Sequence, residues 1–230
     1  FAVNAGDQVY QLTRVLDGRL GALTQAGGDR RLPPIMAIQS VADATVSVRA
    51  LLHSLLLRLA PGGHELLVFD INRNAEVSTL MNMAAVPGLD ALLTGAPLNF
   101  TLSLLRNAGP GSQQLEIVHR AAGESSIRRE TTELAWPPLI YSLSHVALPF
   151  APDDPIYGSE MPRPPRAIYL GRPNLLGERG LLAIPAADLM RLRFNPFFDF
   201  MEARIEAFLL DHSPRAVPVQ PLENVGGMWQ

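Results

Sequence analysis

The chain has 230 residues, 47% of them apolar, and a formal net charge of −3. This apolar content suffices for a buried core. The 19 positively charged side chains, all of them arginine, are spread along the sequence, so we expect no nucleic-acid partner. Cysteine is absent, which excludes disulfides and thiolate metal sites. Because no apolar run approaches the roughly 20 residues of a membrane span, we predict a soluble protein and assign it to the cytoplasm, although the lack of cysteine fits the periplasm equally.

The first segment predicts one amphipathic helix from Asp7 to Leu23, ended by Gly27 and Gly28. Its apolar residues recur at helical spacing, at Val9, Leu12, Leu16, Leu20 and Leu23. The sequence starts with Phe1 and shows no signal-peptide pattern, so we expect the native N-terminus to lie upstream.

Residues 32–72 predict a strand, a helix and a second strand. The short apolar run 32–40 is typical of a buried parallel strand, and apolar residues on one face predict a helix over 47–60. The run 64–72 reads as the next strand. Such a unit makes its two strands parallel neighbours with a right-handed crossover, so the expected fold class is α/β, in one domain over 1–230.

The middle of the chain is less regular. A bent helical piece over 75–93 precedes two alternating runs, 99–105 and 114–120, and the turn residues between these runs predict a hairpin. A third run, 139–143, also reads as a strand.

The last part of the chain predicts a loop and a helix. Residues 149–180 are rich in proline and glycine and indicate an ordered loop. Asn195 and Pro196 are typical of a helix N-cap and first helical position. Apolar residues then face one way for four turns, at Phe197, Met201, Ile205, Phe208 and Leu209.

Two polar residues follow predicted strands and are candidates for chemistry. Asp43 comes just after the strand over 32–40, at the edge of an α/β sheet where catalytic groups collect, and His145 comes just after the run 139–143. Each also has a structural interpretation: Asp43 as a cap of the helix over 47–60, and His145 as a hydrogen-bonded core group.

The surroundings of these two residues resemble the α/β-hydrolases. Segment 34–46 (PIMAIQSVADATV) resembles the part in which a buried strand delivers the triad acid. Segment 142–150 (SLSHVALPF), with DDPIYG at 153–158, resembles the histidine loop of bacterial members related to esterases and lysophospholipases. The resemblance covers roughly residues 5–72 and 138–211, and it implies Asp43 as the acid and His145 as the general base.

The chain departs from the family pattern at the nucleophile. No serine has glycine at both −2 and +2, so the strained turn that exposes a catalytic serine is missing. Ser125 follows Gly123 but has Ile127 at +2, and Ser144 adjoins His145 on a strand, where neighbouring side chains point apart. We therefore expect the chain to be the C-terminal part of the hydrolase sheet, with the nucleophile and oxyanion hole upstream or in a partner chain.

A second departure is the long separation of Asp43 from His145. Residues 73–137, with the predicted hairpin, are interpreted as an insertion, and Asp70 is a competing acid because it ends the strand over 64–72. No cofactor is expected. A metal site is weighed and rejected, because its candidate ligands show no metal-binding spacing. Those candidates are His145, Asp153, Asp154 and Glu160.

The expected function is hydrolysis of a carboxylic ester, of lipid-like or other kind, through an acyl-enzyme. By itself the chain would be inactive. The contrasting hypothesis is a non-catalytic α/β module used for binding or assembly. Under either hypothesis we expect association with a nucleophile-bearing part, a partner chain or further copies, because a sheet truncated at one side leaves an unpaired edge.

Overall fold

A five-stranded mixed sheet organises the chain. The computed structural model describes residues 3–43, 47–73, 89–137, 140, 142–143, 147–158 and 191–213. The strands follow one another across the sheet in chain order: β1 (Met36–Ser40), β2 (Glu65–Phe69), β3 (Thr101–Asn107), β4 (Gln114–Arg120) and β5 (Arg128–Ala135). β1, β2 and β3 are parallel, whereas β3, β4 and β5 are antiparallel.

Four helices accompany this sheet in the described part of the chain: α1 (Val3–Gln25), α2 (Val48–Ser54), α3 (Leu89–Thr94) and α4 (Phe198–His212). A separate two-stranded parallel sheet joins β6 (Ser142–Leu143) to β7 (Arg191–Leu192). The combination of a mixed sheet and flanking helices confirms the α/β class. Of the helices described, none combines the length and the apolarity that crossing a bilayer requires.

The predicted strand, helix, strand unit is present, but its helix is shorter than 47–60. α2 ends at Ser54, and a short 3-10 turn over Leu56–Arg58 follows. The side-chain amide of Asn99 donates hydrogen bonds to the carbonyl oxygens of Leu56, at 2.7 Å, and Leu59. These carbonyls are therefore satisfied without a further turn of helix, while Leu56 and Leu59 remain buried as expected.

The predicted hairpin is also confirmed, with β4 at the expected residues and β3 two residues later than expected. Gly111, at φ 75°, supplies the left-handed backbone conformation in the connection. β3 pairs with β2 as well, so the hairpin continues the main sheet. The interpretation of 73–137 as an insertion stays a prediction, and residues 74–88, with most of the predicted helical piece, lie outside the described residues.

The fifth strand was not expected from the sequence. β5 reads RRETTELA and is exposed over most of its length, so it lacks the apolar alternation that indicates a half-buried strand. Its backbone pairs with β4, and the side chain of Thr132 donates to the carbonyl of Leu115 at 2.8 Å. Charged side chains are common on such edge strands because they oppose pairing with another chain.

The core lies on both faces of the sheet. On one face α2 and α3 cover residues of β2, β3 and β4, including Leu66, Val68 and Leu102. On the other face Leu67, Phe69, Leu105 and Leu115 pack beneath α4 and the segment around Trp136. Phe197 joins these parts: its ring stacks on Phe69 at 6.2 Å and meets Trp136 edge-on at 5.1 Å.

Two details of the terminal helices differ from expectation. α4 begins at Phe198 with Phe197 at the N-cap position, and the predicted cap, Asn195, instead accepts a hydrogen bond from the Phe197 backbone at 2.9 Å. Leu209, expected on the buried face, is exposed. α1 is longer than predicted, and most of its apolar face is exposed as well, although Leu20 packs against the core.

Arg120 is a fully buried cation held by backbone oxygens. Its guanidinium donates to the carbonyls of Glu124 at 2.9 Å, of Gly95 at 2.7 Å and of Leu92. These bonds tie the end of α3 and the turn after β4 to the sheet. A buried polar group costs little stability when its hydrogen bonds are formed. Removing the guanidinium of Arg120 would leave all three carbonyl oxygens without their donor.

We predict that Arg120→Met destabilises the fold by about 3 kcal/mol, because three inward-facing carbonyls lose a donor. Urea unfolding followed by circular dichroism measures this change. Arg49→Met, on the exposed side of α2, is the matched control and should change the unfolding free energy by less than about 0.5 kcal/mol. Equal losses of unfolding free energy in the two variants would show that the hydrogen bonds of Arg120 to the three carbonyls do not stabilise the fold.

Candidate functional site

Buried polar residues collect where the parallel strands end. β1, β2 and β3 run in the same direction, so their carboxyl ends share one edge of the sheet. Ser40, Asp70 and Asn107 stand at or just after these ends, and Asp43 and Asn72 follow closely in the chain. All of them except the half-buried Asn107 are buried. In open α/β sheets this edge is where ligands bind and catalytic groups are placed.

Asp43 is buried at this edge, with 5% of its surface exposed. Its backbone N–H donates to the carbonyl of Ser40 at 3.1 Å, which closes a turn directly after β1, and its Oδ2 accepts from Nε2 of Gln39 at 3.3 Å. The alternative role as helix cap is wrong, because Ser47 is the N-cap of α2 and its Oγ accepts from the N–H of Ala50. Asp43 is therefore a buried carboxylate at the carboxyl end of β1 that does not serve as the N-cap of α2.

Asp70, the competing acid, forms an ion pair with the neighbouring cation Arg73. Its Oδ2 accepts from Nε of Arg73 at 2.7 Å, and its Oδ1 accepts from an Nη of Arg73 at 3.0 Å and from the N–H of Ile71 at 2.9 Å. Burial lowers the pKa of Arg73, but the hydrogen bond and charge of Asp70 outweigh this and raise the pKa overall. Both oxygens of Asp70 therefore take part in a two-pronged ion pair with Arg73.

The segment that precedes His145 is hydrogen-bonded to the same edge of the sheet. Oγ of Ser40 donates to the carbonyl of Leu143 at 2.7 Å, and Nδ2 of Asn72 donates to the carbonyl of Ile140 at 3.0 Å. His145 itself lies outside the described residues, two positions after Leu143. The segment before His145 and the turn that holds Asp43 thus meet at Ser40.

Asn72 and Asn107 extend this polar network, and neither was expected from the sequence. Nδ2 of Asn107 donates to Oδ1 of Asn72 at 2.9 Å, while Oδ1 of Asn107 accepts from the N–H of Arg73 at 2.9 Å. The ends of β2 and β3 are therefore linked to each other and, through Asn72, to Ile140. The one signal in the sequence is that each asparagine ends or follows a predicted apolar run.

The other serines and acids weighed from the sequence play structural parts where the structure describes them. Ser125 is exposed in the turn after β4, near Gly123 with φ 77°. Asp154 stabilises a turn: its Oδ1 accepts hydrogen bonds from the N–H groups of Ile156 at 2.8 Å and Tyr157 at 2.7 Å. Ser144 lies outside the described residues.

No cluster of acidic and histidine side chains suited to a metal ion occurs within the described ranges. Of the four ligands weighed from the sequence, His145 and Glu160 lie outside those ranges, so the set as a whole is not tested.

One serine–histidine contact appears away from the edge. Oγ of Ser103 lies 3.1 Å from Nδ1 of His119, between directly opposed residues of β3 and β4. Ser103 is 3% exposed, which denies a substrate access to its hydroxyl. Among the described residues no carboxylate accepts a hydrogen bond from His119, so the pair lacks the third member of a triad. This contact is best explained as a buried polar pair within the sheet.

Comparisons of the chain with models of protein families, with curated proteins and with solved structures gave no match. The structure therefore fixes the fold at the level of the α/β class. The chemistry has to be inferred from the side chains at the carboxyl edge of the sheet.

We predict that Ser40→Ala releases the segment around Leu143 and lowers stability by about 1 to 2 kcal/mol, because a buried carbonyl loses its donor. Amide hydrogen exchange of Leu143 and thermal unfolding measure the two effects. Ser125→Ala, in the exposed turn, is the control and should alter neither. An unchanged exchange rate at Leu143 in the Ser40 variant would show that the Ser40–Leu143 hydrogen bond does not hold this segment.

We also predict that stability falls as the pH drops below about 6.5, the ordinary pKa of histidine. Burial lowers the pKa of His119, and the positive charge of Arg204 lowers it further against the opposing charge of Glu65. The unfolded chain therefore takes up a proton at a higher pH than the folded chain, so acid favours unfolding in this window. Urea unfolding at pH 7.5 and pH 5 should show this loss, reduced in His119→Gln but not in the exposed control His53→Gln. Equal pH dependence in both variants would exclude His119 as the cause.

Proposed function

We propose that this chain supplies the acid and the general base of a serine hydrolase that cleaves carboxylic esters. Asp43 is the acid and His145 the base, as the resemblance to the α/β-hydrolases implies. The observation that carries the proposal is the hydrogen bond between Ser40 Oγ and the Leu143 carbonyl. It joins the turn that bears Asp43 to the segment that enters His145.

The charges at the edge support Asp43 as the acid. A triad acid accepts a hydrogen bond from one ring nitrogen of the histidine, fixes its tautomer and stabilises the imidazolium. Both carboxylate oxygens of Asp70 accept hydrogen bonds from Arg73. A histidine would therefore have to break this ion pair to bind Asp70. Asp43 is buried at the same edge and accepts a hydrogen bond from the side-chain amide of Gln39.

In the proposed reaction His145 removes the proton of a serine hydroxyl as the oxygen attacks the ester carbonyl. The tetrahedral intermediate collapses as His145 returns the proton to the alkoxy oxygen, so the alcohol departs and an acyl-serine remains. Water then attacks the acyl group with His145 again as base, and the carboxylic acid and free serine are regenerated. Asp43 orients the ring of His145 and stabilises its positive charge.

The serine is the part that this sequence does not supply. No G-x-S-x-G occurs in its 230 residues, and Ser103 and Ser125 are unsuited for the reasons given above. The nucleophile and the oxyanion hole belong, in this proposal, to another segment of the complete gene product or to a partner chain. The substrate is an ester of lipid-like or other small acyl type.

We predict that Asp43→Asn in the complete gene product lowers kcat for a p-nitrophenyl ester by about 10⁴-fold, because the histidine loses its orienting charge. His145→Ala should abolish turnover. Asp70→Asn is the matched control: it should retain kcat within about tenfold while lowering stability, because Arg73 loses its partner. Steady-state kinetics and thermal unfolding of the three variants provide the measurements.

Two outcomes would overturn the proposal. Loss of kcat in Asp70→Asn with full activity in Asp43→Asn would reverse the assignment of the acid. A complete gene product that neither reacts with a fluorophosphonate probe nor hydrolyses esters would favour the alternative of a non-catalytic α/β module.

A further inference from the structure

A row of polar side chains crosses the sheet face beneath α4. Leu67 and Phe69 pack on this face, and alternate residues of a strand share a face, so Glu65 lies on it as well. The strand register adds one polar residue from each of the next three strands. These residues are Ser103 of β3, His119 of β4 and Arg128 of β5.

Helix α4 lies along β2 over this row. Phe197, at its N-cap, stacks on Phe69, the last residue of β2. Further along the helix, an Nη of Arg204 donates to Oε2 of Glu65, the first residue of β2, at 3.0 Å. Within the described part of the chain, this is the one ion pair that joins α4 to the sheet. Its side chains are 34% and 20% exposed, so water screens the pair only in part.

His119 lies within the electrostatic range of this ion pair. Its Nδ1 is 3.1 Å from Oγ of Ser103, which fixes the ring on the sheet. Four charged groups of the described elements act on the ring. They are Arg204 of α4, Glu65 of β2, Arg128 of β5 and Glu124 in the turn after β4. The interaction with Arg204 is the strongest of the four, so a proton on the ring is opposed mainly by the helix above it.

The coupling between His119 and Arg204 acts in both directions. Because the charge of Arg204 disfavours a proton on His119, that proton disfavours the position of Arg204 against the sheet by the same free energy. An imidazolium also attracts the carboxylate of Glu65 and competes with Arg204 for it. Both effects oppose the attachment of α4.

We propose that His119 is a proton-operated joint, at which protonation weakens the Arg204–Glu65 ion pair and loosens α4 from the sheet. The pKa of His119 is lowered by burial and by Arg204, so the ring is neutral and the helix attached at neutral pH. The attachment weakens as the pH falls below about 6.5, the ordinary pKa of histidine. This joint does not depend on the proposed hydrolase activity.

The joint has a consequence for the proposed site. Leu143 and Leu148, which flank His145 in the chain, lie in the same core cluster as Phe197 and Met201 of α4. A looser α4 covers these residues less well, so acid would lower the proposed esterase activity too. Only this consequence rests on the proposed function, and an absence of esterase activity would leave the measurements below unaffected.

Amide hydrogen exchange of the purified chain at pH 7.5 and pH 5.5 tests the joint, with each rate divided by the intrinsic rate at that pH. Residues 204–208 of α4 should lose about two- to fivefold of their protection at pH 5.5, the effect of one partly exposed ion pair. His119→Gln, which keeps a polar side chain without a titratable charge, should abolish this loss. The exposed control His53→Gln should retain it. A full loss of protection in His119→Gln would overturn the proposal.

The same exchange data show whether α4 opens without the rest of the sheet. Amides of β2, such as that of Leu67, should remain at least about tenfold more protected than residues 204–208 at both pH values. Equal protection of β2 and α4 would show that the helix leaves the sheet only when the whole chain unfolds. The joint would then be refuted.

A second variant tests the coupling without a change at His119. Arg204→Gln removes the charge at a half-buried surface position, so the pKa of His119, followed by NMR of its ring protons, should rise. Arg49→Gln is the matched control, because Arg49 is exposed on α2, which covers the other face of the sheet. It should leave the pKa of His119 unchanged. An equal pKa of His119 in the Arg204 variant and the unmodified chain would show that the two groups do not interact, and would refute the joint.

Discussion

Parallel pairing of β1, β2 and β3 is the constraint on which the rest of the structure depends. It gives the three strands one direction, so the residues after each strand arrive at a single edge. Polar side chains that are far apart in sequence then become neighbours at this edge. Without that alignment, Asn72 at the end of β2 would not reach Asn107 at the end of β3.

A neighbouring cation fixes one of the two acids at this edge. Both Asp43 and Asp70 are buried and both follow a strand, so position alone does not separate them. Arg73, three residues after Asp70, supplies a fixed counter-charge with two hydrogen bonds. An acid held in this way maintains the local backbone. The spacing of Asp70 and Arg73 is local, and the sequence already contained that signal.

Local sequence patterns predicted most of the helices and strands. Long-range contacts explain where the structure differs from those predictions. The alternation in β4 and the turn before it were sufficient to place the hairpin. The end of α2 was not predictable, because it depends on Asn99, a residue more than 40 positions away from it in the chain. β5 was not predicted from the sequence, because this exposed edge strand lacks the alternation of apolar and polar residues. Asp43 and the segment before His145 followed from the resemblance to a family, while the asparagine network needed the folded sheet to become visible.

The unlike edges of the sheet give the molecule a polarity of assembly. β5 ends the sheet with charged and hydroxyl side chains, whereas none of the five residues of β1 carries a charge. A charged edge strand opposes pairing with another chain, and β1 lacks this protection. An uncharged strand edge is prone to mispairing while a chain folds, so mutations that slow folding lower the yield of folded protein before they alter any chemistry.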